Sequence, residues 1–405
     1  MFTRRSFYHL RKLNHIIFSL GLKAFPSAYA NGFPGKKLKI YGITGTDGKT
    51  TSSTLLYHVL KSAGYKVALI STVAAFIGDE EIDTGFHVTS PEPDQIHKLL
   101  KRCVDQGIEH VVLEVTSHGV FQFRVWGIDF EYTGLTNISN EHLDYFVDYL
   151  TYAGVKAKFL ASAKKKAFIN KDDQSFSLAS SVLKTKGVKF EAYNQSIGVD
   201  VVSRAIKQRF PEEYNRWNAK LVWAMARQIG VKDEELAKAI KSFPGVRGRM
   251  ELIPDQEGGR VIIVDFAHTP HALEEVLKAA RKKTKGKVIS VFGCAGLRDA
   301  TKRPVMADIA TRLADFAVFT AEDPRTEDLQ LIFRQMKEGV KKPNHRKFVT
   351  QPDRKEAIRF ALASAQKGDV VIVTGKGHER SMCFGTKETP WSDQEAIIEL
   401  LQEAL

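Results

Sequence analysis

The chain has 405 residues, 43% hydrophobic and 26% charged. That balance excludes an intrinsically disordered chain, a collagen and a small disulfide scaffold, and the length allows about two to four domains. A net charge of +13 points to polyanionic partners: nucleotides, nucleic acid, phosphorylated substrates or anionic lipid. Cys103, Cys294 and Cys383 form no C-x-x-C pair. That argues against a disulfide framework or a cysteine zinc site and suits a reducing, cytoplasmic compartment.

Residues 1–37 are basic and aromatic. Arg4-Arg5, the apolar stretch 16–22 and Ala28-Tyr29-Ala30 have the outline of a signal peptide. Arg11, Lys12, His15 and Lys23 crowd and close that stretch, so a basic amphipathic helix is expected instead, packed on the fold or lying on a membrane surface. No apolar run is long enough for a transmembrane helix.

A buried strand is predicted at 38–43, followed by the loop Thr44-Gly45-Thr46-Asp47-Gly48. Leu55, Leu56, Val59 and Leu60 give 49–63 helical spacing, ended by Gly64. A strand at 67–72, a helix at 94–106 and a strand at 110–115 continue the alternation of a parallel α/β sheet. Residues 177–246 read as less regular, with a helix at 214–229 the clearest element. Phe243-Pro244-Gly245 marks a domain boundary. Beyond it strands are predicted near 261–265, 287–292, 316–320, 346–350 and 370–374, with helices between.

The loop at 42–51 lies between a strand and a helix, as a phosphate-binding loop must. Glycines let backbone N–H groups approach phosphate oxygens, and the helix N-terminus adds partial positive charge. Lys49 would reach the β- and γ-phosphates and the Thr50 hydroxyl a Mg²⁺ ion. The interval from Gly42 to Gly48 is one residue longer than the strict pattern. The loop implies a nucleotide but not a reaction, since GTPases, nucleotide kinases and ligases share it. Two further polar stretches leave predicted strands at their carboxyl ends, where open α/β sheets place ligands. They are Glu114-Val115-Thr116-Ser117-His118-Gly119 and the run from Thr136-Asn137 to Leu143-Asp144-Tyr145. Glu114 and His142 could share a metal ion.

With these motifs the chain resembles the Mur ligases, ATP-dependent enzymes that add amino acids to peptidoglycan precursors. Within that family it looks most like the MurE branch, which adds the third residue of the stem peptide. The matching stretches are TGTDGKTT, EVTSHG, TNISNEHLDY, GRME, VDFAHTPHAL, FGCAGLRDATKRPVM, EDPRTED and GKGHE. They run in order from about Lys37 to Leu405. The resemblance implies an α/β fold: a P-loop central domain with a mostly parallel sheet at 38–246, and a Rossmann-like C-terminal domain at 247–405. Residues 1–37 become a basic amphipathic extension. ATP and the acceptor would lie in a cleft that domain closure completes.

The resemblance implies that an acceptor carboxylate attacks the ATP γ-phosphate and that an amine then displaces phosphate from the acyl-phosphate. Two anions must meet, so cations must screen them. Thr50 and Glu114 would ligate one Mg²⁺ and His142 help hold a second. Lys156 matches the family's carbamylated lysine, an anion supporting the second metal. The alternative is one more surface lysine in a Lys-rich helix. Gly45, Thr46, Asp47, Gly48, Lys49, Thr50, Thr51 and Asn137 would bind ATP from the central domain, and Arg249, Asp265 (on the ribose) and His268 from the C-terminal one. Thr89, Ser90, Ser117, Gln122 and Arg124 would hold the muramoyl-peptide, Arg124 by a fork on an anion. Lys302 and Arg303 match basic residues near the C-terminal cleft or are helix-start charges.

Amino-acid choice would fall to Glu322, Asp323 and Arg325, with Gly375 and Glu379. Diaminopimelate-adding members carry D-N-P-R, whose Arg grips the distal carboxylate. Here Glu322 and Asp323 replace the first two positions while Arg325 remains, which favours diaminopimelate over lysine. Only 37 residues precede the phosphate-loop strand, where the family carries a UDP-binding domain, and the region between Asp173 and Tyr214 is trimmed. The acceptor's UDP link is therefore open. Pseudomurein-type and lipid-linked acceptors are open too, whereas the EVTSHG and EDPR stretches argue against folylpolyglutamate-like and cyanophycin-type ones, and intact Lys49, Glu114, His142 and Lys156 argue against a non-catalytic nucleotide-binding role. A monomer acting on small molecules is expected, with no nucleic-acid partner and a peripheral membrane contact through the N-terminus open.

Overall fold

The computed structural model describes residues 4–82, 90–139, 145–194 and 199–403. They divide into two compact units, Met1–Pro244 and Gly245–Leu405.

Unit 1 holds an eight-stranded sheet. Its strands are β1 (Lys39–Thr44), β2 (Val67–Ile70), β3 (Ala75–Ile77), β4 (Glu80–Ile82), β5 (His110–Glu114), β6 (Phe130–Leu135), β7 (Ala163–Asn170) and β8 (Phe190–Tyr193). Their order is β4-β3-β2-β5-β1-β6-β7-β8. Every pair is parallel except β2 with β3 and β3 with β4. β5 is buried along its whole length, because helices cover both faces of a parallel sheet. Val111 and Leu113 join Ile40, Ile96 and Leu100 in one apolar cluster, while Val112 faces the other way. Helix Lys49–Ser62 buries Leu55, Leu56, Val59 and Leu60 and packs beside helix Glu213–Ile229.

The region read as irregular is mostly regular: helices Phe176–Thr185, Asp200–Arg209, Glu213–Ile229 and Asp233–Ser242 fill it. The lysine run also corrects an expectation. Helix Tyr149–Leu160 ends before it, and Lys164, Lys165 and Lys166 lie in β7, where they pair with Asp129, Glu131 and Glu191.

The N-terminus is helical from Arg4 to Ala30: α-helix to Asn14, a wider π-type stretch His15–Ala24, then α-helix Phe25–Ala30. No helix among the described residues is long and apolar enough to cross a membrane.

Unit 2 contains β9 (Glu251–Ile253), β10 (Val261–Asp265), β11 (Val288–Phe292), β12 (Phe316–Phe319), β13 (Phe348–Thr350) and β14 (Val370–Thr374). Their order is β13-β12-β11-β14-β10-β9, parallel apart from β9. A hairpin, β15 (Ser381–Phe384) with β16 (Lys387–Pro390), stands apart from that sheet. The register aligns Asp265 with Thr374 and Phe292 with Phe319, so four loops leave from one edge.

Candidate active site

In unit 1, β1, β5 and β6 end together: Ile43 pairs with Glu114 and Thr44 with Leu135. The phosphate loop, Glu114 and Thr136-Asn137 therefore share the carboxyl edge of the sheet. Two glycines are required by close packing. A Cβ on Gly45 would lie 1.7 Å from Thr136 Oγ1, and one on Gly48 2.1 Å from Asn218 Oδ1. Gly48 also has φ 77°, a left-handed conformation.

Asn137 clasps the loop. Its backbone oxygen accepts from Thr46 N at 2.9 Å and its Oδ1 from Asp47 N at 3.0 Å. Its Nδ2 donates to Asp47 O at 3.2 Å. Thr46 Oγ1 lies 3.2 Å from the Tyr152 hydroxyl. Thr51 follows in the first turn of helix Lys49–Ser62. Lys49 Nζ donates to Thr46 O at 2.7 Å, and Thr50 Oγ1 to Glu114 Oε1 at 3.1 Å. Thr72 holds the other Glu114 oxygen through its N–H at 3.1 Å and hydroxyl at 3.2 Å. Thr72 was missed in the sequence because nothing local distinguishes a threonine after a strand.

Lys156 is a buried residue rather than a surface lysine. Asp148 caps its helix by accepting from Thr151 N. Two turns on, Lys156 Nζ donates to Gly45 O at 2.6 Å and sits over the Tyr152 ring. His142 and Thr89 lie outside the described residues. Among the described residues no group of three or more His, Cys, Asp or Glu is placed to hold a metal ion.

The stretch expected to hold the muramoyl-peptide is cross-linked. Ser90 Oγ lies 3.1 Å from Thr116 Oγ1 and accepts from Thr116 N, next to buried Ser117. Arg124 donates through Nε to Gln122 Oε1 and through Nη1 to Ser90 O, and it pairs with Glu92 at 2.8 Å. Its guanidinium is engaged inside the protein, neither solvated nor an open fork. Gln122 Nε2 donates to Tyr145 OH at 3.0 Å.

In unit 2, Asp265 Oδ2 accepts from Met250 N and Oδ1 from Ala267 N. It thereby fixes Arg249, whose guanidinium lies over Phe266, and His268, whose Nδ1 meets Phe266 O. Lys302 donates to His268 O. Arg303 is fully buried in a two-pronged pair with Glu327, which also accepts from Leu297 N. This pair, not an exposed charge, anchors the loop after β11. Arg303 holds the Glu327 carboxyl down at about 2.

Asp323 accepts from Lys376 Nζ with both oxygens at 2.9 Å and from Cys383 N. Lys376 also pairs with Glu379. Asp323 and Arg325 take φ 41° and 52°, strained for non-glycine residues. The hairpin pins them, with Arg325 N donating to Cys383 O and Gly385 N to Arg325 O. Arg325 Nη1 donates to Gly296 O at 2.7 Å. Gly375, with φ 105°, leaves room for Glu322, whose Oε2 is buried without a hydrogen bond. Lys376 lay inside a quoted motif yet was not singled out. Its role emerges only where two loops meet.

Burial pushes the Glu322 carboxyl up to about 7 and that of Glu379 up to about 8, against the pull of nearby cations. An unfolded glutamate ionises near 4.5. Between those values the folded state holds more protons, so stability falls as pH rises and levels off above about pH 8. Glu322→Gln is expected to remove roughly 3 kcal/mol of that fall. Urea unfolding at a series of pH values measures it, and an unchanged slope would exclude Glu322 as its source.

Two family models match: the Mur ligase middle domain over residues 43–221, and the Mur ligase glutamate ligase domain over 248–377. The chain is 36% identical over 401 residues to a UDP-N-acetylmuramoyl-L-alanyl-D-glutamate–2,6-diaminopimelate ligase of Clostridium botulinum, covering 94% of this chain and 81% of that protein. The chain belongs to the Mur ligase family. It is an amide-forming ligase of that family. The ligase of the same name from Bacteroides fragilis is 37% identical, with 93% of this chain and 80% of that one covered. A solved structure of such a ligase superposes with TM-score 0.60 at 30% identity, over 91% of this chain and 79% of that one. A folylpolyglutamate synthase/dihydrofolate synthase from Yersinia pestis, complexed with AMPPNP and Mn, shares the fold. Its TM-score is 0.65 at 20% identity, over 87% and 90% of the two chains.

Proposed function

We propose that this Mur ligase uses ATP to couple meso-diaminopimelate to the carboxylate of a muramoyl-dipeptide peptidoglycan precursor. The carrying observation is the convergence of Lys49, Thr50 and Glu114 at one strand edge beneath a glycine-shaped loop. The acceptor carboxylate attacks the γ-phosphate, ADP departs, and the amine of the amino acid displaces phosphate from the acyl-phosphate. Lys49 neutralises the transferring phosphoryl group, and the loop N–H groups hold the phosphates in line.

The donor set fits a divalent ion. Thr50 and Glu114 offer hard oxygens of the kind magnesium takes. Such an ion would screen the charge of the triphosphate and the attacking carboxylate. His142 is assigned to a second ion. Lys156, buried with its Nζ against Gly45 O beside the phosphate loop, is assigned as the carbamylated lysine that supports this second ion. Thr46, Asp47, Gly48 and Asn137 shape the nucleotide loop, and Arg249, Asp265 and His268 form its counterpart in unit 2. Ser90, Ser117, Gln122 and Arg124 position the acceptor, with Thr89. Arg325 receives the distal carboxylate of diaminopimelate, and Glu322, Asp323, Gly375 and Glu379 border its amino group. The names of the relatives support that amino acid. A UDP-linked acceptor would place the protein in the cytoplasm.

Phosphate release with ATP, Mg²⁺, UDP-muramoyl-dipeptide and a panel of amino acids tests the reading. Diaminopimelate is expected to support turnover and lysine to fall at least about a hundredfold short, since the Arg fork then lacks its partner. Equal rates would remove Arg325 from the specificity assignment. No release with any UDP-linked acceptor would overturn the choice of acceptor.

A further inference from the structure

The N-terminal helical segment is amphipathic in the inverted sense. Its inward face is mostly small or polar, Tyr8, His15, Ser19, Ala24, Ser27 and Ala28, with Leu20 an apolar exception. Ala24 and Ala28 are fully buried, and a Cβ on Gly127 would sit only 3.3 Å from that of Ala28, so the helix lies close on the fold. Tyr8 and His15 pack their rings on Phe121, His15 Nε2 lies 2.9 Å from Tyr145 OH, and Lys23 pairs with Glu92. Phe25, at the rim between the two faces, lies tilted against Trp126 with ring centroids 5.5 Å apart.

The outward face is apolar. Leu10, Leu13, Ile17, Phe18, Leu22 and Phe25 are 49% to 66% exposed. Their spacing of three, four, one, four and three residues keeps them on one side of a helix. A soluble surface rarely carries so many large apolar groups in one stripe, and such a patch marks an interaction site. The segment's own charge has one sign, although Lys23 meets Glu92 of the underlying fold. Residues 1–46 contain eight lysines and arginines, and the first acidic residue of the chain is Asp47. Arg11, which also reaches back to Tyr145, and Lys36, just past the segment's end, are exposed. A partner protein with an apolar groove would not need that uniform charge. An anionic bilayer surface rewards both features at once, since apolar side chains enter the acyl boundary while cations meet headgroups.

We propose that this outward face docks the protein on an anionic lipid surface, with the segment lying in the interface plane. The inward face stays on the protein, so docking requires no rearrangement of unit 1. The contact is peripheral, because the segment offers the bilayer one helix face and does not span it. It is independent of which amino acid or acceptor the enzyme uses.

The full-length protein is mixed with vesicles of phosphatidylcholine alone, or of phosphatidylcholine and phosphatidylglycerol, and floated on a density gradient. Recovery in the floating fraction is expected with phosphatidylglycerol only and should drop with added salt. The variant Ile17→Glu/Leu22→Glu should lose at least about tenfold in vesicle partitioning. Its melting temperature and its phosphate release with a soluble acceptor should match the parent, since both side chains point away from the fold. Equal recovery with and without phosphatidylglycerol overturns the proposal. So does flotation by the double variant at the parental level. Light scattering decides against it as well if the parent is a dimer, the double variant a monomer and neither floats, because a second copy then covers the stripe.

Discussion

Lys49→Ala is expected to abolish ATP-dependent phosphate release, by about a thousandfold or more, since removing a cation aimed at a transferring phosphoryl group costs several kcal/mol of transition-state stabilisation. Lys49 Nζ rests on Thr46 O, a contact within its own loop that no other element depends on. The variant should therefore unfold at the parental denaturant concentration. Single-turnover phosphate release beside a urea titration separates the two effects. Residual turnover within tenfold of the parent would take Lys49 out of the phosphate site.

Arg354→Ala should produce the largest loss of stability, about 3–5 kcal/mol, by leaving a buried carboxylate without its partner. Arg354 and Asp393 are both fully buried and joined by two hydrogen bonds of 2.8 Å. Arg354 also donates to Ala321 O and Thr374 O, the residues just before Glu322 and Gly375. Losing it loosens both loops assigned to the amino acid. The KM for the amino acid should thus rise, while that for ATP, assigned above mainly to the phosphate loop of unit 1, should change less. Urea unfolding and KM measurements at saturating co-substrate read the two consequences. A variant as stable as the parent would show the pair to be replaceable by packing or water.

The phosphate loop was legible because its chemistry is written in one contiguous stretch: glycines, then Lys49 and Thr50 at a helix start. Strand β14 was legible for a similar reason, as Val-Val-Ile-Val between polar residues has few other uses. What lay hidden depends on partners far along the chain. Arg354 begins an ordinary helix, and only the fold delivers Asp393, Ala321 and Thr374 to it. Asn137, Asp265 and Arg124 were legible as residues at strand ends or in motif stretches. The direction their polar atoms face was not, and in the structure each of them grips protein groups. The region 177–246 looked irregular because three of its four helices span only ten residues, too few for a strong periodic signal.

The place of β14 bears on how the molecule is made. It is the last parallel strand to be synthesised, yet it lies between β10 and β11 in the middle of its sheet. Until it emerges from the ribosome, β10 has only β9 beside it, and β11 only β12, so two apolar strands keep open edges. A chain arrested after β11 but before residue 370 carries those edges exposed, the condition under which nascent chains pair with each other. The sheet of the C-terminal unit therefore closes only once residue 374 has been made, in one late step, whereas β1, β5 and β6 of unit 1 can assemble while synthesis continues.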